Sequence, residues 1–325
     1  MTRMTFGQAL VAALFERASR DPSLNLFGTS FLLGPGNRAP QLEALRERFP
    51  DRNHDAPISE SALTLLAGGA AMCGTRMFVH YGRASFALEA WSQIYGEIAI
   101  AHYLSGGQLR VPLVMHGFHG VFPVESTQHC GSPQAMLWNN PGIQIALPAS
   151  PSDAYHLMTD ALDSDSPSFV LSHTALLGLQ EDVPTTPVIP FGQARIHRAG
   201  RAVTVVATSQ MVQVAVAAAN QLAAEGIDAE IIDPRTLVPF DWETVLSSIR
   251  KTGRLVVVDE THRSCGVASE ITATVVERAF ASLRAAPVRV VRNDEHVPYS
   301  NAVKDSFVPD TTAVIAAVRQ VLQEH

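Results

Sequence analysis

Three stretches of this sequence carry side chains of the kinds that do chemistry. The first is Asp55-Ala56-Pro57-Ile58-Ser59-Glu60-Ser61, ahead of a small-residue run containing Gly68 and Gly69. Taken alone, it reads as a helix start, with Ser59 as cap and Glu60 favoured by the helix dipole. The second, Ser85 to Ile94, sets Phe86, Ala90, Gln93 and Ile94 at helical spacing, which packing explains. Phe86, at the start of that helix, could instead present its ring face to a flat ligand. The third runs through His116-Gly117-Phe118-His119-Gly120 to Gln128-His129-Cys130-Gly131-Ser132-Pro133. His-x-x-His with a third histidine downstream invites a metal. The stretch reads as a loop, however, and offers neither helical i, i+4 geometry nor a nearby acidic ligand set. Structural hydrogen bonding is the plainer role for a lone His129. The chain has no GxSxG elbow, no GxxxxGK[ST] loop and no GxGxxG fingerprint. Spacing alone therefore reaches an α/β chain that binds a ligand, and stops there.

The elements that must position these residues alternate between strand and helix. Apolar runs predict strands at Leu24–Phe27, Met77–His80, Val111–Met115, Ile143–Leu147 and Phe169–Leu171, with helices including Ser59–Met72 and Ser85–Tyr103 between them. Further on, Val203–Thr208 predicts a buried strand, Ser209 an N-cap, and Gly226 the stop of the helix that follows. Strands at Glu230–Ile232, Arg254–Asp259 and Pro287–Val291 alternate with helices near 242–250, 266–283 and 311–322. Such alternation implies right-handed crossovers and mostly parallel sheets, whose ligands sit at the carboxyl ends of the strands. Periodicity lapses around Pro184, Pro187 and Pro190, which places two domains at 1–187 and 188–325.

Composition narrows the function classes. The 325 residues are 46% hydrophobic and 17% charged, enough to bury large cores. A net charge of −7 argues against a nucleic-acid-binding surface. The three cysteines, Cys73, Cys130 and Cys265, include no CxxC pair, as suits a reducing cytoplasm. The N-terminus reads as an amphipathic helix and not as a signal peptide. Ala202–Ala224, the longest uncharged run, parses as strand, cap and helix, so no membrane partner is expected.

In order and spacing the motifs resemble the beta subunit of the thiamine diphosphate-dependent decarboxylating component of 2-oxo acid dehydrogenase complexes, the pyruvate and branched-chain enzymes among them. The matching stretches are Ala56–Glu60, Ser105–Gly107 with Val111–Val114, Gln128-His129, Asn140–Ile143 and Ile189–Ala194. Glu225–Ile227, Asp233–Leu237, Lys251–Gly253 and Pro298-Tyr299 continue the match, which covers essentially the whole chain. The resemblance implies two doubly wound α/β domains, an N-terminal pyrimidine-binding domain and a C-terminal transketolase-like domain. It makes Glu60 the carboxylate that hydrogen-bonds the cofactor's aminopyrimidine ring, so that the thiazolium carbon can lose its proton. Burial against the cofactor would raise that carboxylate's pKa. Phe86 would stack on the pyrimidine, Ile58 would lie against the same ring, and His129 would face the substrate as a proton donor or orienting group. Mg²⁺ and the diphosphate belong, in that family, to a Gly-Asp-Gly motif on the alpha subunit. No Gly-Asp-Gly occurs here. An α2β2 heterotetramer is implied, acting on a small 2-oxo acid, with a lipoyl acyltransferase as a further partner. A structural potassium on main-chain oxygens would fall at Leu113, Ala161, Leu162, Ser164 and Ser166.

The sequence departs from the family pattern at several points. Thr29 and Ser30 stand where members carry an acidic pair, His116 replaces an arginine, and Cys130-Gly131 replaces Ser-Gln. These positions are expected on active-site loops. The terminal Gln323-Glu324-His325 lacks the apolar end that helps dock the acyltransferase in pyruvate complexes. Three readings follow: a lipoyl-linked 2-oxo acid decarboxylase subunit, a two-chain carboligase built like a split transketolase without a lipoyl partner, and a non-catalytic subunit. Retention of Glu60, Phe86 and His129 speaks against the last.

Overall fold

A computed structural model describes residues 1–28, 40–55, 57–121, 126–186 and 189–323. Two compact units account for the chain: Met1–His119 with Met136–Phe191, and Gly120–Ala135 with Gly192–His325.

The first unit is a parallel sheet flanked by helices. Its strands are β1 (Thr2–Thr5), β2 (Asn25–Phe27), β3 (Asn53–His54), β4 (Met77–Arg83), β5 (Leu113–His119), β6 (Gln144–Ala146), β7 (Ser168–His173) and β8 (Gln180–Val183). The sheet runs β6-β7-β5-β4-β2-β3, every neighbouring pair parallel. β5 and β7 are buried along their whole length, as a sheet covered on both faces requires. The core forms where α1 (Phe6–Arg20) meets the helix Pro151–Asp163, with Phe6, Leu10, Leu14, Leu157 and Leu162 all buried. Thr5 and Gln8 close a capping box at the start of α1. β1 and β8 pair antiparallel. Helices α2 (Pro40–Arg48) and α3 (Glu60–Met72) complete the described N-terminal part.

The second unit contains β9 (Arg195–Arg198), β10 (Val203–Ala207), β11 (Ala229–Asp233), β12 (Thr236–Val238), β13 (Leu255–His262) and β14 (Val288–Arg292). Its sheet runs β14-β13-β10-β11-β9, parallel except for β9. β10 lies between β11 and β13, so the strand order reverses beside it. The helix Trp242–Thr252 is capped by Asp241 and ends at Gly253, whose φ of 70° needs glycine.

Several expectations are corrected. The helix expected over Ser85–Tyr103 is broken into a 3₁₀ segment (Ala84–Ala90), one α turn, a π segment (Ile94–Ile98) and a short α-helix. His116–His119 is not a loop: it is the buried end of β5. The expected cap Ser209 takes a left-handed φ of 50°, and the helix starts at Met211. The helix expected to reach 283 is α-helical only over Val267–Ala279. The departures at Thr29 and Ser30 lie outside the described residues, as do Ala56, Glu324 and His325. Among the described residues no helix is long and apolar enough to cross a membrane.

Candidate active site

Glu60 is the first residue of α3, half-buried, and follows Ser59 in the cap position. Ser59 makes no side-chain capping bond, so the dipole and not a cap hydrogen bond favours an acid here. One helical turn on, the buried Thr64 hydroxyl lies 2.8 Å from the Tyr81 hydroxyl on β4. Tyr81 is buried, and desolvation first, with the Glu60 charge opposing ionisation as well, holds its phenol above the ordinary value. The carboxylate therefore stands within electrostatic reach of a neutral phenol whose proton stays in place. Ser61 donates to the Glu89 carbonyl at 2.5 Å, tying the start of α3 to the 3₁₀ segment that carries Phe86. That segment crosses β5 at Gly117, where a Cβ would stand 2.6 Å from Ala84 Cα. Glycine at 117 is what lets the backbone of this segment approach β5 so closely at Ala84. Ile58, just before the helix, is 81% exposed, and Leu65 and Leu66 on α3 are exposed too. A carboxylate, a half-buried ring and uncovered apolar side chains thus lie on elements tied to one another.

The histidines of the third stretch separate. His116, on β5, is fully buried: its Nδ1 lies 2.8 Å from His80 Nδ1 and its Nε2 3.0 Å from Ser172 Oγ. The three residues span β4, β5 and β7, and His80 and His116 are in register. Burial, with His80 and His119 adding to it, depresses the His116 pKa well below the usual imidazole value. His119 packs edge-on against His173 at 5.0 Å. His129 lies in the second unit, half-buried in a 3₁₀ turn over Thr127–His129. Thus Ile58, Glu60 and Phe86 belong to one unit and His129 to the other. Among the described residues no group of three His, Cys, Asp or Glu side chains could hold a metal ion.

The residues singled out for potassium lie together at one edge of the first unit. Val111 N donates to Asp165 O at 3.0 Å, which sets the turn after Asp163 beside the start of β5. Ser164 N bonds Ala161 O at 3.3 Å, while Ser164 O accepts the Arg76 guanidinium at 2.5 Å. A carbonyl has two lone pairs, so that bond leaves one on Ser164 O.

Sequence reasoning missed Tyr81, Thr64, His80 and Ser172. His80 carried a weak signal as the polar end of the apolar run Met77–His80, and the structure sets it in register with His116. Tyr81 read as an ordinary core aromatic, and only the fold places it under Glu60.

Comparison with known proteins covers nearly the whole chain. Residues 2–180 match the family model for the transketolase pyrimidine binding domain, and residues 192–314 that for the transketolase C-terminal domain. The acetoin:2,6-dichlorophenolindophenol oxidoreductase subunit beta of Cupriavidus necator is 34% identical over 99% of this chain and 98% of its own length. The pyruvate dehydrogenase E1 component subunit beta of Rickettsia conorii is 36% identical over 98% of both chains. A mitochondrial pyruvate dehydrogenase E1 subunit beta-1 of Arabidopsis thaliana is 33% identical over 98% of this chain and 89% of its own. A solved split-gene transketolase, an inactive β4 tetramer, shares the fold with a TM-score of 0.80 over 99% of both chains at 23% identity.

Proposed function

We propose, for a chain that belongs to the transketolase-like family of two-chain thiamine diphosphate enzyme beta subunits, that it is the beta subunit of a 2-oxo acid decarboxylase passing its acyl group to a lipoyl carrier. The observation that carries the proposal is end-to-end identity to pyruvate dehydrogenase E1 beta subunits across both domains. Retention of Glu60 at the first residue of α3 agrees with it. When bound, thiamine diphosphate would supply a nucleophilic carbon and, in its thiazolium ring, a sink for the electron pair released when CO2 is lost. This chain contributes the pyrimidine side. Glu60 shares a proton with a ring nitrogen, and the uncharged Tyr81–Thr64 pair adds no competing charge beside the carboxylate. Phe86 and Ile58 cover the ring's faces and keep water from them. His129 delivers or orients a proton on the substrate side. Diphosphate and Mg²⁺ are assigned to an alpha subunit in an α2β2 assembly, and the complex is assigned to the cytoplasm. A structural potassium would be held by main-chain oxygens among Leu113, Ala161, Leu162, Ser164 and Ser166, of which the Ser164 carbonyl already accepts from Arg76.

A second reading, a two-chain carboligase or acyloin-type enzyme without a lipoyl partner, is favoured by the acetoin oxidoreductase relative and by the His116 and Cys130-Gly131 departures. The co-purified alpha–beta complex separates the two. Reductive acylation of a free lipoyl domain by pyruvate or a branched-chain 2-oxo acid supports the first. Dye reduction by acetoin with no 2-oxo acid turnover supports the second.

A further inference from the structure

The segment that carries His129 is built into the second unit. Val121 N donates to Glu260 Oε1 at 2.5 Å, and Thr127 Oγ1 donates to Val297 O at 2.7 Å. Arg292 Nη1 donates to the carbonyl of Cys130, the residue after His129, at 3.3 Å. Gly120 N meets Gly131 O at 3.4 Å and closes the segment on itself. The anchors are deeply buried, Arg292 at 4%, Glu260 at 3% and Cys130 at 1% exposure. Glu260 lies near the end of β13 and Arg292 ends β14, so both stand at the carboxyl side of a parallel sheet. Burying a guanidinium is costly unless charges and acceptors meet it. Here the Glu260 carboxylate favours the charged guanidinium against the cost of burial, and the Cys130 carbonyl is an acceptor, while His262 Nε2 lies 3.4 Å from Nη2.

We propose that Arg292, with Glu260, is a positioning residue for His129: a buried ionic clamp that fixes the 126–131 turn and so the place of its imidazole. The proposal rests on the role given to His129 above and adds that this role depends on a residue far along the chain. Neither the spacing of the His129 motif nor the family match points to Arg292. A guanidinium on a carbonyl fixes direction as well as distance, because its donors are set in a rigid plane. The turn's own bonds, His129 N to Ser126 O at 2.9 Å and Cys130 N to Thr127 O at 3.1 Å, hold it locally, and the Arg292 contact ties it to the end of β14.

The test uses the alpha–beta complex with Arg292→Met, Arg292→Lys, His129→Ala and the double variant Arg292→Met/His129→Ala. Arg292→Met should lower kcat at least tenfold and leave the KM for thiamine diphosphate within twofold. The double variant should be no slower than His129→Ala alone, since a misplaced histidine has little left to lose. Arg292→Lys, which keeps the charge and one donor, should recover most of the rate and serves as the readout if Arg292→Met does not fold. A second measurement needs no cofactor. Amide exchange by mass spectrometry should show peptides over 126–135 exchanging at least tenfold faster in Arg292→Met, with β5 and β7 peptides unchanged. Unchanged exchange there overturns the clamp whatever the kinetics. A full kcat for Arg292→Met beside an impaired His129→Ala also overturns it. A silent His129→Ala with fast exchange in Arg292→Met instead leaves the clamp standing and refutes the role assigned to His129.

Discussion

Acid should destabilise the first unit through one imidazole. His116 is fully buried between His80 Nδ1 and Ser172 Oγ, with Phe78 stacked at 6.0 Å and Phe118 edge-on at 5.3 Å. The titratable groups facing it are His80 and His119, and both oppose a positive charge at His116. Its folded pKa is depressed well below 6.5, mainly by burial. Below pH 6.5 the unfolded chain therefore takes up a proton that the folded chain refuses. The stabilisation is complete above that pH and is lost as pH falls towards the folded pKa. One such group costs up to about 1.4 kcal/mol per pH unit, so acidification from pH 6.5 to 5.0 removes at most about 2 kcal/mol. Urea unfolding of the wild type and His116→Asn at several pH values between 7.5 and 5.0 measures this directly. The variant should be less stable at pH 7.5, because it loses packing and the Ser172 bond, yet its stability should fall with acid by close to one proton less. Parallel curves for the two proteins would refute the reasoning and mean that His116 already carries, or readily accepts, its proton in the folded chain.

Other outcomes follow from the site. The isolated chain should bind thiamine diphosphate weakly, and tight Mg²⁺-dependent binding by calorimetry would refute the two-chain reading. In the alpha–beta complex, Glu60→Gln should stop exchange of the thiazolium proton while circular dichroism stays native; NMR exchange at the wild-type rate removes Glu60 from the chemistry. His129→Ala should lower turnover ~10²–10⁴-fold with little effect on cofactor affinity, the range of a general acid–base group. Steady-state kinetics near wild type would show that the position has left that role. Gly117→Ala, whose Cβ would stand 2.6 Å from Ala84 Cα, should cost about 1–3 kcal/mol in urea unfolding and impair the site through the Phe86 segment.

The parallel architecture was legible because its strands are continuous β-branched and apolar runs, such as Val203–Ala207, that only a doubly covered sheet can bury. The helix end marked by Gly226 was equally legible, since glycine takes the positive φ that such an end requires. What escaped was set by partners distant in sequence. Thr2–Thr5 is short and polar, and becomes a strand only against Gln180–Val183. The stretch Ser85–Tyr103 has helical spacing but must pass over Gly117 and seat Ile98 against Gly68, and it does so through 3₁₀ and π turns. His116-Gly117-Phe118-His119 looked like a loop because glycine and histidine are poor strand formers. It is a strand because β4 and β7 on either side supply His80, Ser172 and His173 as partners.

The same logic separates the two halves of the candidate chemistry. Glu60 by its own neighbourhood is an ordinary first-turn acid, and only the sequence resemblance makes it a candidate. Its surroundings include the neutral hydroxyl pair of Tyr81 and Thr64, and the carboxylate helps keep that phenol protonated. His116 shows the converse. An arginine there would place a permanent charge in the sheet core, which needs a carboxylate to balance it. A depressed imidazole facing another imidazole and a serine needs none at neutral pH. His116 therefore leaves this part of the sheet core uncharged at neutral pH, and it brings an acid sensitivity that an arginine would not have.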